Sequence, residues 1–139
     1  MQVFEVVNIE ALNEVAKAIV DLTPSHKIFL LDGEMGAGKT TLTGIICKLM
    51  EVEDEPSSPT FSIVNTYYSP KYGEINHFDF YRLADEEEAI ESGLEEQLYS
   101  GNICFVEWGE KIQNLLPNNY VRVAIELIDT NHRKITIVG

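Results

Sequence analysis

The chain has 139 residues, of which 23 are acidic and 10 are basic, giving a formal net charge of −13 at pH 7. A chain of this length forms one domain and buries roughly two-thirds of its unfolded surface, so neither a metal nor a disulfide is needed to hold the fold. The negative charge repels nucleic-acid backbones and anionic membranes, which excludes direct electrostatic binding to either. Any role with nucleic acid would therefore be indirect, through a partner protein.

The two cysteines, Cys47 and Cys104, fall in apolar segments without the spacing of a metal site, and we expect them to be reduced core thiols. Residues 1–5 show no basic leader, and no apolar run approaches the ~20 residues that span a bilayer. The sequence therefore predicts a soluble, cytoplasmic protein without membrane contact.

The first elements in chain order alternate between strand and helix. A short strand over residues 2–7 precedes a helix that Asn8 caps and Pro24 ends. The unbroken apolar character of residues 27–32 is typical of a strand covered on both faces. A helix then runs to about Met50, and its inward face is predicted to consist of Leu42, Ile45, Ile46 and Leu49.

The remaining elements are shorter and include two hairpins. In order they are an acidic loop over 51–59, strands over 60–68 and 74–82, a helical segment from 85 to 99 broken at Ser92-Gly93, a strand over 103–106, a short helix ending at Leu116, and strands over 120–128 and 134–138. Together the elements predict an α/β fold. We expect one three-layer domain over residues 1–139, with a mixed sheet that is parallel at its centre and antiparallel at its margins.

The most informative motif is G-E-M-G-A-G-K-T at residues 33–40, which fits the phosphate-loop pattern G-x-x-x-x-G-K-[ST] without a substitution. Its glycines let successive backbone N–H groups point inward at a helix N-terminus, which makes an anion site. The lysine reaches the terminal phosphates and the threonine hydroxyl ligates Mg²⁺. The alternative is a glycine-rich turn that happens to carry a lysine. The predicted nucleotide-binding residues here are Gly33, Glu34, Met35, Gly36, Ala37, Gly38, Lys39, Thr40 and Thr41.

An acid at the end of a strand beside the loop would complete the metal site, and Glu107 directly follows the apolar run 103–106. The alternative is a surface glutamate that opens the next helix, where acids are favoured. Trp108, the only tryptophan, comes next. It is either a core residue or a side chain that stacks on the nucleotide base.

Residues 76–82 alternate, with Phe78 on one face and His77 and Asp79 on the other. The two polar residues could form a hydrogen-bonded pair that positions a water or the metal shell, or they belong to an ordinary half-exposed strand. Arg82 is one of only three arginines, so a partner could supply the arginine that phosphoryl transfer commonly uses. Residues 57–60 lie where loops that sense the γ-phosphate are often found, and the alternative is an ordinary loop, which is what Ser/Pro clusters usually form.

These segments together resemble the TsaE family, the small ATPase of bacterial tRNA threonylcarbamoyladenosine biosynthesis. The matching pieces are G-E-M-G-A-G-K-T-T-L at 33–42, S-P-T-F at 58–61, H-F-D-F-Y-R-L at 77–83 and V-E-W at 106–108. The phosphate loop alone is unspecific, whereas the H-x-D-x-Y-R element followed by V-E-W is specific. The segment after Pro117 carries no signature.

The resemblance implies roles for individual residues. Lys39 would bind the β- and γ-phosphates of ATP, Thr40 and Glu107 would hold Mg²⁺, Trp108 would lie near the adenine, and Asp79 would serve in catalysis. Residues 58–60 would respond to the nucleotide. The resemblance also implies an ATPase that is weak alone and is stimulated by the TsaD and TsaB proteins, which transfer the threonylcarbamoyl group to adenosine 37 of tRNA. Hydrolysis would reset that complex between turnovers, and tRNA would be contacted only through it.

Three other uses of the loop stay open on the residues alone. A small-molecule kinase usually has a basic lid, whereas the candidate lid at residues 85–96 is dominated by acids. A GTP-dependent switch would need an N-K-x-D element to read guanine, and the chain has none. The third is a regulatory module that binds a nucleotide without meaningful turnover.

Overall fold

The computed structural model describes residues 1–53 and 63–139. Its strands are β1 (Gln2–Val6), β2 (Ile28–Asp32), β3 (Val64–Ser69), β4 (Gly73–Asp79), β5 (Ile103–Glu107), β6 (Val121–Asp129) and β7 (His132–Val138). Its helices are α1 (Ile9–Leu22), α2 (Lys39–Leu49), α3 (Glu86–Glu91), α4 (Leu94–Leu98) and a 3₁₀ helix (Gly109–Leu115).

The seven strands form one sheet in the order β1-β7-β6-β2-β5-β4-β3. Strands β6, β2, β5 and β4 run parallel to one another, whereas β1, β7 and β3 pair antiparallel at the two margins. The prediction of a sheet with a parallel centre and antiparallel margins is therefore confirmed. Because parallel strands point the same way, the carboxyl ends of four strands meet at one edge of the sheet.

Helices cover both faces of this sheet, which gives the predicted three layers. On one face α1 and α2 pack on β2 and β5 through Leu42, Ile46, Phe29 and Phe105, among other side chains. On the other face Leu94 and Leu98 of α4 and Ile112 of the 3₁₀ helix join alternate residues of the same strands. Strand β2 is buried along Ile28–Leu31 because its odd and even residues enter different cores.

Side-chain caps fix where two helices begin. The Asn8 side chain accepts a hydrogen bond from the Ala11 N–H at 2.9 Å, as expected for the N-cap of α1. The Asp85 carboxylate likewise accepts from the Glu88 N–H at 2.9 Å at the start of α3. None of the helices within residues 1–53 and 63–139 is both long enough and apolar enough to cross a membrane.

The inward face of α2 differs from the prediction. Leu49 is 46% exposed and Ile45 is only partly buried, whereas Thr43, Cys47 and Met50 are buried. Thr43 tolerates burial because its hydroxyl donates to the Lys39 carbonyl at 3.0 Å. The helix is apolar on most sides, so the sequence pattern alone did not distinguish the two possible stripes.

The polar segment between α2 and β3 carries several predictions that the structure does not test. The loop over 51–59, the start of the strand over 60–68 and the S-P-T-F motif with its proposed nucleotide-responsive residues 58–60 lie wholly or partly outside the described residues. Both cysteines are free and buried, as predicted. Burial raises the pKa of the Cys47 thiol to about 11 and that of Cys104 to about 12, so both stay protonated at neutral pH.

Candidate functional site

Three carboxylates end three neighbouring strands at the carboxyl edge of the parallel sheet. Asp32 is the last residue of β2, Glu107 the last of β5 and Asp79 the last of β4. Glu107 pairs in register with Leu31 on one side and with Asp79 on the other. The phosphate-loop motif begins directly after Asp32, so the sheet brings the loop, Glu107 and Asp79 together as the sequence predicted.

The motif forms a loop from β2 to α2 whose shape depends on two glycines. Gly38 has φ of +108° and precedes the first residue of α2, a backbone conformation that side chains rarely adopt. A Cβ on Gly33 would lie 3.0 Å from the Ile125 carbonyl oxygen of β6, so the close approach of loop and sheet needs glycine there. The N–H groups of the first turn of α2, which have no partner within the helix, therefore lie next to the loop.

The predicted loop residues differ in exposure. Ala37 and Lys39 are buried, whereas Glu34, Met35, Gly36, Thr40 and Thr41 are exposed. The Lys39 ammonium donates to the Gly33 carbonyl at 2.7 Å, and its Nζ lies 4.3 Å from the centroid of the Trp108 ring. The lysine therefore folds back across its own loop, against the face of an aromatic ring.

Trp108 adopts an unusual backbone conformation for an aromatic residue. Its φ of 59° and ψ of 42° are left-handed, and it follows β5 directly. The ring packs on Tyr81 with a centroid distance of 5.1 Å and on the Lys39 ammonium. Such strain in a bulky residue is typical of functional sites. Trp108 is therefore neither a simple core residue nor a surface residue, and contact with the base stays a prediction.

Glu107 is 3% exposed, so it is not the surface glutamate of the alternative interpretation. Its Oε2 lies 2.5 Å from Nε2 of His77, which is itself 1% exposed. The predicted pairing of His77 with Asp79 is therefore wrong, and so is the half-exposed strand for His77. Asp79 instead accepts a hydrogen bond from the Tyr81 N–H at 3.1 Å. The histidine reaches β5 because the parallel register places Phe105 and Glu107 beside His77 and Asp79.

Two further residues of the site escaped the sequence analysis. Asp32 forms an ion pair with Arg122 of β6, with an N···O distance of 3.2 Å. Burial raises the pKa of the Asp32 carboxyl, with Arg122 opposing that rise. The signal for Asp32 was its place at the end of a buried strand just before the loop. Arg133 of β7 donates from Nε to the Ala37 carbonyl at 2.6 Å. The two residues are 96 positions apart, so no local sequence pattern indicates this contact.

In the described part of the chain, a cleft and a pocket border the loop. A cleft of about 940 Å³ runs from Gly33 and Trp108 along β6 and the 3₁₀ helix. A pocket of about 210 Å³ lies on the other side, between Gly38 and Thr41 of the loop, Asn8 at the start of α1 and Arg133. The loop therefore borders both the cleft and the pocket.

The donor set at the site suits magnesium with phosphate rather than a metal held by protein alone. In the ranges that the structure describes, no three His, Cys, Asp or Glu side chains are grouped to hold an ion. The Thr40 hydroxyl in the first turn of α2 and the buried Glu107 carboxylate are hard oxygen donors. Mg²⁺ is usually held by one or two protein oxygens together with substrate phosphates and water. The residues present therefore fit Mg²⁺ bound with a nucleotide.

Comparison with known proteins agrees with the motifs. Residues 6–135 match the family model of the threonylcarbamoyl adenosine biosynthesis protein TsaE. The chain is 40% identical over 131 residues to the tRNA threonylcarbamoyladenosine biosynthesis protein TsaE of Rickettsia bellii, covering 94% of this chain and 90% of the relative. It is 32% identical to the protein of that name in Bacillus subtilis, covering 96% and 82%.

A solved structure has the same fold. The crystal structure of Bacillus subtilis YdiB superposes with a TM-score of 0.69 and 27% identity, covering 98% of this chain and 83% of the other. The family match spans the phosphate loop, the 77–83 element and the V-E-W segment from which the resemblance was inferred. The chain belongs to the TsaE family of threonylcarbamoyl adenosine biosynthesis proteins.

Proposed function

We propose that this protein binds and hydrolyses ATP with Mg²⁺ as a subunit of the machinery that makes N6-threonylcarbamoyladenosine at position 37 of tRNA. The observation that carries the proposal is the loop itself, a motif without substitutions whose lysine lies at the start of α2. The buried carboxylate of Glu107 ends the strand next to the one that leads into the loop. The family match supports the pathway. A site at the switch from sheet to helix, with acids at the strand ends, is suited to phosphoryl transfer.

Each residue of the site has a distinct part in this proposal. The loop N–H groups bind the phosphates, and Lys39 leaves the Gly33 carbonyl to contact the β- and γ-phosphates. Thr40 and Glu107 hold Mg²⁺, which neutralises charge on the phosphate oxygens when it is bound. Asp79, on the strand next to Glu107, orients the attacking water.

Two places are open to the adenine. One lies beside Trp108, as the resemblance implies. The other is the pocket of about 210 Å³, which borders Gly38 and Thr41 and has apolar walls from Ile9, Leu12 and other side chains. The two are distinguished by the fluorescence of Trp108, the only tryptophan. Direct stacking of the base on the ring quenches it with ATP but not with inorganic triphosphate, whereas a base in the pocket makes both ligands act alike.

A partner that completes the site agrees with the arrangement of the arginines. Arg122 is paired with Asp32, and Arg133 is bonded to the Ala37 carbonyl. Both are engaged in holding the protein's own structure, so a transition-state cation from another protein would add what these contacts do not provide. We propose TsaD and TsaB as that partner. The net charge of −13 keeps tRNA at a distance, so tRNA is reached through the complex, in the cytoplasm.

Steady-state hydrolysis tests the proposal. We expect slow ATP hydrolysis by the chain alone and a strong rise when purified TsaD and TsaB are added. The control is GTP, which we expect to be a poor substrate. Stimulation by a small metabolite rather than by the protein pair would indicate a kinase, and binding without turnover in either mixture would indicate a regulatory module.

A further inference from the structure

His77 has no assigned role, yet it makes the closest side-chain contact of Glu107 in the described part of the chain. The two residues lie on adjacent parallel strands, and Nε2 of His77 is 2.5 Å from Oε2 of Glu107. Both side chains are almost fully buried, with 1% of the histidine and 5% of the glutamate exposed. A short hydrogen bond that is shielded from solvent holds the carboxylate in one orientation.

The contact requires a proton on Nε2 of His77 when Glu107 acts as a metal-binding carboxylate. An ionised carboxylate only accepts hydrogen bonds, so Nε2 of His77 must be the donor. The neutral ring then has a bare Nδ1. That atom is buried and has no hydrogen-bond partner among residues 1–53 and 63–139. An apolar side chain at position 77 would remove this unpaired Nδ1 but would leave the buried Oε2 of Glu107 without its donor, so the contact with Glu107 is what the histidine provides here.

We propose that His77 is a positioning residue that orients Glu107 toward the metal of the nucleotide site. The Nε2–H group fixes Oε2 and leaves Oε1 of Glu107 for Mg²⁺ or its water. Partners that orient a metal-binding carboxylate commonly change metal affinity or activity by about 10–100-fold when they are removed. This inference rests on the proposed function, because it assumes that Glu107 serves Mg²⁺.

Binding of ADP measured by calorimetry, with Mg²⁺ and with EDTA, tests the inference without relying on turnover. His77→Leu removes the donor at similar volume, and we expect the gain in ADP affinity that Mg²⁺ gives to fall about 10-fold, with affinity in EDTA unchanged. His77→Gln places an N–H near the Nε2 position and is expected to recover most of that gain. In a Glu107→Gln background His77→Leu is expected to change nothing further.

The matched control is His26→Leu. His26 also has a buried Nδ1 without a partner in the described ranges, but it lies in the turn before β2, near Gly139 and away from the loop. An effect of His26→Leu equal to that of His77→Leu would overturn the inference, as would a His77→Gln variant that folds and behaves like His77→Leu.

A second measurement keeps the inference testable if His77→Leu does not fold. Nitrogen NMR of the metal-free wild-type protein reports the tautomer of His77, and we expect the proton on Nε2. A proton on Nδ1 would overturn the proposed contact. If Mg²⁺ leaves the ADP affinity of the wild-type protein unchanged, both the proposed function and this inference fail. If the wild type responds and His77→Leu responds equally, the inference alone fails.

Discussion

Replacing Lys39 with methionine is expected to separate nucleotide affinity from stability. The side chain is 6% exposed, and in the described part of the chain no carboxylate lies within ion-pair distance of its ammonium. In the free protein it is held by the Gly33 carbonyl and the face of Trp108. Methionine keeps the length and the aromatic contact but has no charge and no donor.

The magnitudes of the two effects differ. The charged hydrogen bond contributes about 1.5–3 kcal/mol and the desolvated cation–π contact about 2 kcal/mol. Burying the Lys39 ammonium costs several kcal/mol, and this cost largely cancels the two favourable contacts. The free energy of unfolding of Lys39→Met should therefore differ from that of the wild type by about 1 kcal/mol or less. Affinity for ATP reflects the exchange of the neutral Gly33 carbonyl for a charged phosphate, which is the stronger partner of the ammonium. Losing a charge-assisted phosphate contact should cost about 2 kcal/mol or more, roughly 30-fold in Kd.

Calorimetric titration with ATP and thermal unfolding by circular dichroism measure the two quantities. The matched control is Lys48→Met, the same substitution at an exposed position in the last turn of the same helix, which should change neither. An ATP affinity within twofold of the wild type would refute the assignment of Lys39 to the phosphates. A large loss of stability in Lys39→Met would show that the lysine chiefly serves the fold.

Three other substitutions test separate parts of the site. Glu107→Gln keeps the shape of the buried pair with His77, so the melting temperature should hold while Mg²⁺-dependent hydrolysis falls at least about 10-fold; unfolding would favour a structural role. Gly38→Ala forces a side chain to φ of +108°, which should cost about 1–2 kcal/mol and lower the melting temperature by roughly 4–8 °C. Burial raises the pKa of Asp32, although Arg122 opposes that rise, so the folded state binds the carboxyl proton more tightly than the unfolded chain does. The contribution of Asp32 to the free energy of unfolding therefore declines as the pH rises above the ordinary pKa of an aspartate. Asp32→Asn should therefore raise the melting temperature at pH 7 and have little effect at pH 3, and equal shifts at both values would contradict this.

The sequence predicted those parts of the structure that depend on neighbours along the chain. The residue pattern of the loop at 33–40 is set by its own backbone geometry, and Asn8 caps α1 through the residue three positions away, as predicted. The alternation of short strands and helices along the chain was sufficient to predict the three-layer α/β fold. Glu107 was found because the end of a buried strand is itself a local signal.

The errors concern contacts made across the sheet. A pair of His77 with Asp79 was one of two interpretations, because the two share a face of one strand, yet the pairing of β4 with β5 gives His77 the carboxylate of Glu107, thirty positions away. Arg133 had no predicted role, because nothing near it in the sequence indicates the loop that it contacts. Which strands become neighbours is decided by the packing of the whole domain, and local periodicity carries no information about it.

The bond from Arg133 to the Ala37 carbonyl also bears on how the protein is made. The two residues are 96 positions apart, so the ribosome completes the loop long before it adds the arginine that holds it. Strand β7, which carries Arg133, also pairs with both β1 and β6. A nascent chain that ends before β7 has the full phosphate-loop sequence without this support. Contacts so distant in sequence form late in folding, so the loop gains its final support only when the last strand has docked.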